Sequence, residues 1–537
     1  MPSTSPRHRR VALPLAAAAL LVPAATACSS GGPGGSGASG GDQRLKVAMA
    51  FPPAQAMSPY GDDAVTLSRL AVVEGLTGLD KNGDAKPALA TAWKRDGDLA
   101  WEFTLRKAAF QDGTQVDAVA VVRSLAAAQK ASPKPRVLSD TTITATAEGA
   151  GTVRVTTKAA DPLLPQRLAN PSLAVLSAAA YKDNGKDNGK DNGKGNGKVD
   201  PAGHATGPFT LAKVNGAVSA TLERNDTYWG TKAKAPGIDV KFVADGTARA
   251  NALRTKDVDI AEYVPISQAA LLGDNLVHEF PTARTSGLSL NSERGVFADP
   301  ALRAAAREAI DTKALATGVY EGRADTAQGL LGPGVPWAAE LRNAPTGRAK
   351  AATPAEVAKT KEIVLATYTN RPELPEAATV VQQQLEKRGF TVKQVVRDYA
   401  QMEADALGGK FDAFLQARNT LLDTADPLSY LASDFTCDGS FNISQLCAKP
   451  VDTAVAKAAS LADTDARHRA EMTAEAAILG ADALVPLVHE RFIQGYDDAR
   501  VEGVALDPME RTLITADTDH RRHAHRMSDR MTPRTTP

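Results

Sequence analysis

Two stretches of this 537-residue chain carry the same strand, helix, strand rhythm, and that repetition limits the fold more than any other feature. In the first half, residues 238–243 read as a strand, 247–254 as a short helix and 258–261 as a second strand. In the second half, residues 363–368, 376–388 and 390–396 repeat the order, and Gly389 stands where a helix C-cap favours positive φ. Each half thus contains a βαβ unit, the mark of an α/β layer.

Around these units the first half is rich in further strands. Residues 101–105 and 152–156 alternate apolar and polar side chains, as half-buried strands do. Residues 210–214 and 219–223 flank Asn215-Gly216, a dipeptide that tolerates the φ angles of a tight hairpin. Asp299-Pro300 followed by residues 301–307 supplies a capping side chain, Pro at the first helical position and strong helix formers, so a helix is expected there.

The N-terminus has the layout of a signal peptide: Arg7, His8, Arg9 and Arg10, then an uncharged, Ala- and Leu-rich stretch over residues 11–27. That stretch is short for a membrane span and is broken by Pro14 and Pro23, so it reads as removed rather than retained. Small residues in Ala25-Thr26-Ala27-Cys28-Ser29-Ser30 permit cleavage before Cys28, which resembles the lipobox of bacterial lipoproteins, although the family prefers Leu where Ala25 stands. Lipidation of Cys28 is therefore expected, with ordinary secretion as the alternative. Arg9-Arg10 also leaves the twin-arginine route open. Residues 29–41 are almost all Gly, Ser and Ala, too poor in apolar surface to fold, and read as a tether. Between the tether and the charged tail about 470 residues remain, enough for two or three packed units.

Charge and cysteine content narrow the function classes. Lys and Arg number 62 and balance 62 Asp and Glu, and no basic stripe interleaved with aromatics occurs, so nucleic acid is not expected as a partner. Besides Cys28 the chain holds only Cys437 and Cys447, and an exported chain is expected to pair them. Neither has the CxxC spacing of a redox or metal pair. Residues 182–198 repeat Lys-Asp-Asn-Gly with nothing apolar to bury and read as a flexible insertion. Residues 515–537 lack hydrophobic periodicity and are expected to be a disordered tail, with loose metal binding open to His520, His523 and His525.

Several segments, in order, resemble the family 5 solute-binding proteins of ABC importers, the class that includes dipeptide, oligopeptide and nickel receptors. They are Val73-Glu74-Gly75-Leu76-Thr77-Gly78-Leu79-Asp80, Pro87-Ala88-Leu89-Ala90-Thr91-Ala92-Trp93, Trp101-Glu102-Phe103-Thr104-Leu105-Arg106-Lys107 and Phe110-Gln111-Asp112-Gly113-Thr114. Thr206-Gly207-Pro208-Phe209, residues 222–230 and the helix ending Ala309-Ile310-Asp311 continue the series. The resemblance spans residues 45–502 and implies an α/β, two-lobed periplasmic-binding-protein type II (class C) fold, with a hinge and a ligand cleft between the lobes. On that pattern residues 1–27 are the signal peptide and 28–44 the lipidated Cys with its tether. Lobe I takes 45–264, with a strand-rich subdomain at about 75–205, lobe II takes 265–480, and 481–514 return to lobe I.

The resemblance also implies a ligand set. In peptide-binding members an aspartate a few residues before an Asp-Pro pair neutralises the ligand's α-ammonium, and in residues 418–427 that position is Asp423, ahead of Asp426-Pro427. A carboxylate in a closed, partly dry cleft attracts a cation far more strongly than in water. The family's frequent aromatic residue before the aspartate is replaced here by Thr420. Arg418 is the candidate to grip a ligand carboxylate bidentately, Asn419 lies beside it, and Tyr399 and Trp337 are candidates to stack on or cover the ligand. For each, an ordinary structural role is the alternative: a loop cap, an ion pair or plain core.

The leading expectation is a lipid-anchored monomer on the outer face of the cytoplasmic membrane. It captures short peptides for an ABC permease and ATPase, and it is neither an enzyme nor in need of a cofactor. The alternative within the class is a chelated metal such as nickel. His204, His278, His468 and His489 show no ligand spacing, so a directly bound metal is not expected. Outside the class stand an exported hydrolase and a receptor that senses peptides without importing them. For a hydrolase, no Gly-x-Ser-x-Gly elbow at a strand-to-helix turn and no His-Glu-x-x-His pair is found.

Overall fold

A computed structural model of the chain describes residues 43–132, 134–181, 199–369, 371–421 and 423–521. The expected signal peptide, Cys28 and most of the tether, the 182–198 insertion and residues 522–537 lie outside the described residues. One mixed sheet runs through both halves. Its lobe I strands are β1 (Leu45–Met49), β2 (Phe209–Asn215), β3 (Ser219–Arg224), β4 (Gly237–Phe242) and β5 (Ile260–Ala261). The long strand β6 (Val277–Leu290) carries the chain into lobe II, which holds β7 (Ala324–Thr326), β8 (Ile363–Tyr368), β9 (Val392–Arg397) and β10 (Ala413–Asn419). Strand β11 (Leu484–Tyr496) brings it back. The order is β9-β8-β10-β6-β11-β5-β1-β4-β3-β2, with β7 also on β11.

Both expected βαβ units are present as parallel strands bridged by helices, adjacent in lobe II and separated by β1 in lobe I. In lobe I, β1 lies between β4 and β5, parallel to each, and in lobe II β8 lies between β9 and β10 in the same way. Strand β10 is buried along almost its whole length, as a strand covered on both faces must be, which accounts for its Ala-Phe-Leu start. The β2–β3 hairpin turns at Asn215-Gly216, where Gly216 adopts φ 51°. Among the helices, α1 (Asp63–Arg69) follows β1, and α2 (Pro300–Ala309) starts where Asp299 accepts a hydrogen bond from the Ala301 N–H at 2.8 Å. Helix α3 (Glu373–Arg388) begins three residues earlier than the sequence suggests and ends on Gly389 at φ 112°.

Separate cores pack each part, and every fully buried Leu or Phe in them contributes about 1.5–3 kcal/mol. Leu45, Val47, Phe209 and Ile238 form the lobe I core together with Val501, Leu513 and Ile514, so the chain end closes the first lobe. The strand-rich subdomain is a four-stranded antiparallel sheet of Ala90–Arg95, Ala100–Leu105, Thr152–Thr157 and Ile143–Ala147, with Phe103, Val121, Leu125 and Val155 in its core. Lobe II has one core around Leu365, Val381 and Phe414. A second gathers Leu431 of helix α4 (Leu428–Phe435) with Met472 and Ile478 of α5 (Thr464–Gly480), and it takes in Leu163 from the subdomain.

The crossing pair β6–β11 is where the lobes join. Its register breaks between Pro281 and Thr285, and the residues in the break turn to other segments: Ala283 donates to the Pro508 carbonyl at 3.0 Å and accepts from Thr420 N–H at 2.8 Å. One expectation is corrected here. Residues 515–521, expected as the start of a disordered tail, are packed: Asp519–His520 pairs with Val501–Glu502, and Thr518 is fully buried, donating to the Gly503 carbonyl at 2.7 Å. A short polar segment without periodicity can still be ordered when each of its groups finds a partner on a neighbouring loop.

Candidate functional site

The carboxyl ends of the parallel strands in both lobes converge on the crossing pair, the place where open α/β sheets present ligand sites. Phe51, two residues past β1 and ahead of Pro52-Pro53, is 56% exposed although it is a large apolar ring. It meets Tyr263 edge-on at 5.7 Å. Tyr263 follows β5 at φ 47° and packs edge-on against Phe492 of β11 at 4.4 Å, and Phe492 meets Phe280 of β6 at 6.3 Å. An aromatic wall therefore runs from lobe I onto both crossing strands.

Beneath it lies a network of buried charges. Arg69, the last residue of α1, is 3.0 Å from Glu262 and 3.8 Å from Glu510, and it also donates to the Tyr263 hydroxyl. Glu510 accepts from Arg284 of β6 at 3.0 Å and from Asn419 of β10 at 3.0 Å. Burial alone would raise the Glu510 pKa, but Arg284, Arg69 and Arg371 outweigh it and hold the carboxyl below its usual range. Arg371, just past β8, grips Glu490 at 2.6 Å and Glu373 at 3.2 Å, while Ser286 donates to Glu490 at 2.5 Å. The network links α1 and the chain end with β6, β10 and β11, so it ties both lobes to the crossing strands and, through Glu510 and Asn419, to each other.

The residues singled out in the sequence fall into different surroundings. Asp423 faces the opposite lobe: its Oδ1 accepts from Arg136 Nε at 3.1 Å, and its carbonyl accepts from Asn170 Nδ2 at 2.8 Å, both in the strand-rich subdomain. Asn419 is buried, donating to Glu510 and accepting from Leu421 N–H at 2.9 Å. Arg418 is turned into lobe II, where Nε and Nη2 hold Asp434 at 2.7 and 2.8 Å and the guanidinium lies 4.2 Å from the Phe441 ring centre. Burial would lower its pKa, yet the Asp434 carboxylate keeps it raised. Tyr399 packs edge-on against Tyr368 at 5.0 Å. Trp337 stacks face to face on His468 at 3.6 Å. Cys437 and Cys447 form a disulfide.

The structure thus gathers Asp423 with Arg136 and Asn170, and Asn419 with the charge network. It separates Arg418, Tyr399 and Trp337 into packing contacts. The aromatic wall and Arg69, Arg136, Arg284 and Arg371 escape a reading of the sequence, because their partners lie far along the chain. Only Phe51 left a signal there, an apolar ring at a strand end immediately before two prolines.

Residues 84–442 match the family described as bacterial extracellular solute-binding proteins, family 5 Middle. The chain is 27% identical over 449 residues to the probable D,D-dipeptide-binding periplasmic protein DdpA of Escherichia coli K12, covering 81% of this chain and 85% of that one. It is 28% identical over 462 residues to the glutathione-binding protein GsiB of Salmonella paratyphi A, covering 82% and 88%. NikA from Staphylococcus aureus, solved in complex with Ni(L-His)2, shares the fold with a TM-score of 0.71 at 21% identity, covering 89% of this chain and all of that one.

Proposed function

The chain belongs to the bacterial extracellular solute-binding proteins of family 5, a family of binding proteins rather than enzymes, and from that premise we propose that it captures short peptides with a free N-terminus for an ABC importer. The observation that carries the peptide reading is Asp423. Its carboxylate looks across the junction between the lobes and is held there by a partner from the far side. A ligand ammonium entering between Arg136 and Asp423 replaces an exposed guanidinium as the donor, and closure around it desolvates the new pair. The aromatic wall from Phe51 to Phe492 supplies an apolar face for side chains, and backbone groups at the strand ends supply hydrogen bonds. Two relatives, a probable D,D-dipeptide-binding protein and a glutathione-binding protein, support the same ligand class.

Cys28 is the proposed lipidation site, which puts the protein on the outer face of the cytoplasmic membrane as a tethered monomer that docks on a permease coupled to an ATPase. No helix among the described residues is long and apolar enough to cross a membrane. The chelated-metal reading relies on Arg418 as the grip, and both arms of that fork that face Asp434 are already engaged.

Native mass spectrometry of the mature protein, purified from its own host, tests the proposal. A distribution of adducts that fragment as short peptides is the expected result. A single metal-containing adduct overturns it in favour of a chelate.

A further inference from the structure

Asp426, His468 and Glu471 converge in lobe II, and one ligand atom from each lies within 4.8 Å of the other two, an arrangement that no other group of His, Cys, Asp and Glu reaches among the described residues. The sequence spreads them over 45 positions, but α5 places His468 and Glu471 one turn apart on a single face. Asp426 is presented from the loop ahead of α4, with Oδ1 fixed by the Leu428 N–H at 2.9 Å and Oδ2 turned toward His468 Nε2 at 3.9 Å. The Trp337 ring, stacked on His468 with 4° between the planes, sets the direction of the imidazole.

The second observation is Glu471 itself. Its side chain is wholly buried, no N–H donates to either carboxyl oxygen, and it faces the Asp426 carboxyl, with which it shares a side-chain hydrogen bond. The nearby guanidinium of Arg467 is directed at Asp426, 3.1 Å away, and stands 3.7 Å from Glu471 Oε1. Two buried carboxyl groups that share one hydrogen bond still leave oxygen lone pairs without donors in a dry site, and native proteins rarely leave such atoms without a further partner.

We propose that Asp426, His468 and Glu471 bind a divalent transition-metal ion of the zinc or nickel class. One imidazole nitrogen and two carboxylate oxygens are a donor set these ions accept, with bonds of about 2.0–2.2 Å, and the present separations reach that range with shifts of about half an ångström. A proton shared between the two carboxylates would relieve their repulsion but would leave the aimed imidazole without a role. Arg467 then acts from outside the coordination sphere, orienting Asp426. The ion pins α5 to the loop that carries Asp423 three residues upstream, and the inference stands whether or not the ligand of the cleft is a peptide.

The test is calorimetric titration of the chelator-stripped, full-length mature protein with zinc and with nickel. His523 and His525 near the chain end are a competing source of affinity, so the titration is repeated in an H523A/H525A background. The expected result is one equivalent of metal per chain, retained in that background and weakened at least about 10-fold by E471Q and by H468A. Metal should raise the melting temperature of the wild type and leave that of E471Q unchanged, a readout that a purely packing role would not produce. Absence of binding to the wild type, or binding that disappears with the tail histidines yet survives E471Q and H468A, overturns the proposal. If either variant fails to fold, anomalous diffraction at the zinc edge from wild-type crystals decides: a peak among the three side chains supports the site, and its absence sinks it.

Discussion

Asp423 of lobe II and Arg136 of the strand-rich subdomain, 287 residues apart in sequence, meet at 3.1 Å across the junction of the lobes. The Arg136 side chain keeps 44% of its exposure and Asp423 18%, so the pair is solvent-screened and worth at most about 1 kcal/mol. A ligand cation displaces it at small cost.

Asp423→Asn should therefore weaken binding of peptides with a free amino terminus by about 10- to 100-fold, the loss of one charge-assisted hydrogen bond of about 1.5–3 kcal/mol. Calorimetry with matched free and N-acetylated peptides checks it. The substitution should leave the weak binding of the acetylated form unchanged, while Arg136→Ala should move either by less than about 5-fold.

Arg418 and Asp434 test whether the buried pair inside lobe II is structural. Asp434→Ala strands a guanidinium that is 11% exposed and should cost about 3–5 kcal/mol in urea unfolding. Replacing both, as in Arg418→Met with Asp434→Leu, should recover most of that loss, because no uncompensated charge remains.

His489 makes the stability of the hinge depend on pH. Burial foremost, with Arg342 adding to it, lowers its pKa to about 4. Thr285 Oγ1 donates to the Leu330 carbonyl at 2.8 Å, which leaves His489 Nδ1–H as the donor across the 2.9 Å contact to Thr285. The unfolded chain binds this proton at its ordinary pKa of about 6.5, so between pH 6.5 and 4 the unfolded state holds more protons. The contribution, about 3 kcal/mol, is complete above pH 6.5 and disappears as pH falls toward 4. Denaturant unfolding across that range should show the slope, and His489→Asn should flatten it.

The Cys437–Cys447 bridge closes a loop with a sequence separation of 10 between α4 and α5. In the chain-entropy account a loop of this length is worth about 3 kcal/mol, so the double Ser variant should unfold at lower denaturant with an unchanged fold by circular dichroism.

What the sequence determined by itself is the local grammar. The βαβ units, the Asn215-Gly216 hairpin, the Asp299 cap and the Gly389 stop were legible because each rests on neighbours within a few residues. The collinear segments were enough to expect two lobes. Tertiary structure decided which side chains share a site. Arg418 and Asp423 are close in the chain, yet one is turned into lobe II and the other faces the opposite lobe. His468 has no ligand spacing along the chain, yet it stands beside Asp426 once α4 and α5 pack. Periodicity reports which face of an element is buried, but not against what. The partner is set by crossing strands and by cores that close only when distant segments meet, and that is why the charge network of Arg69, Arg284 and Glu510 had no trace in the sequence.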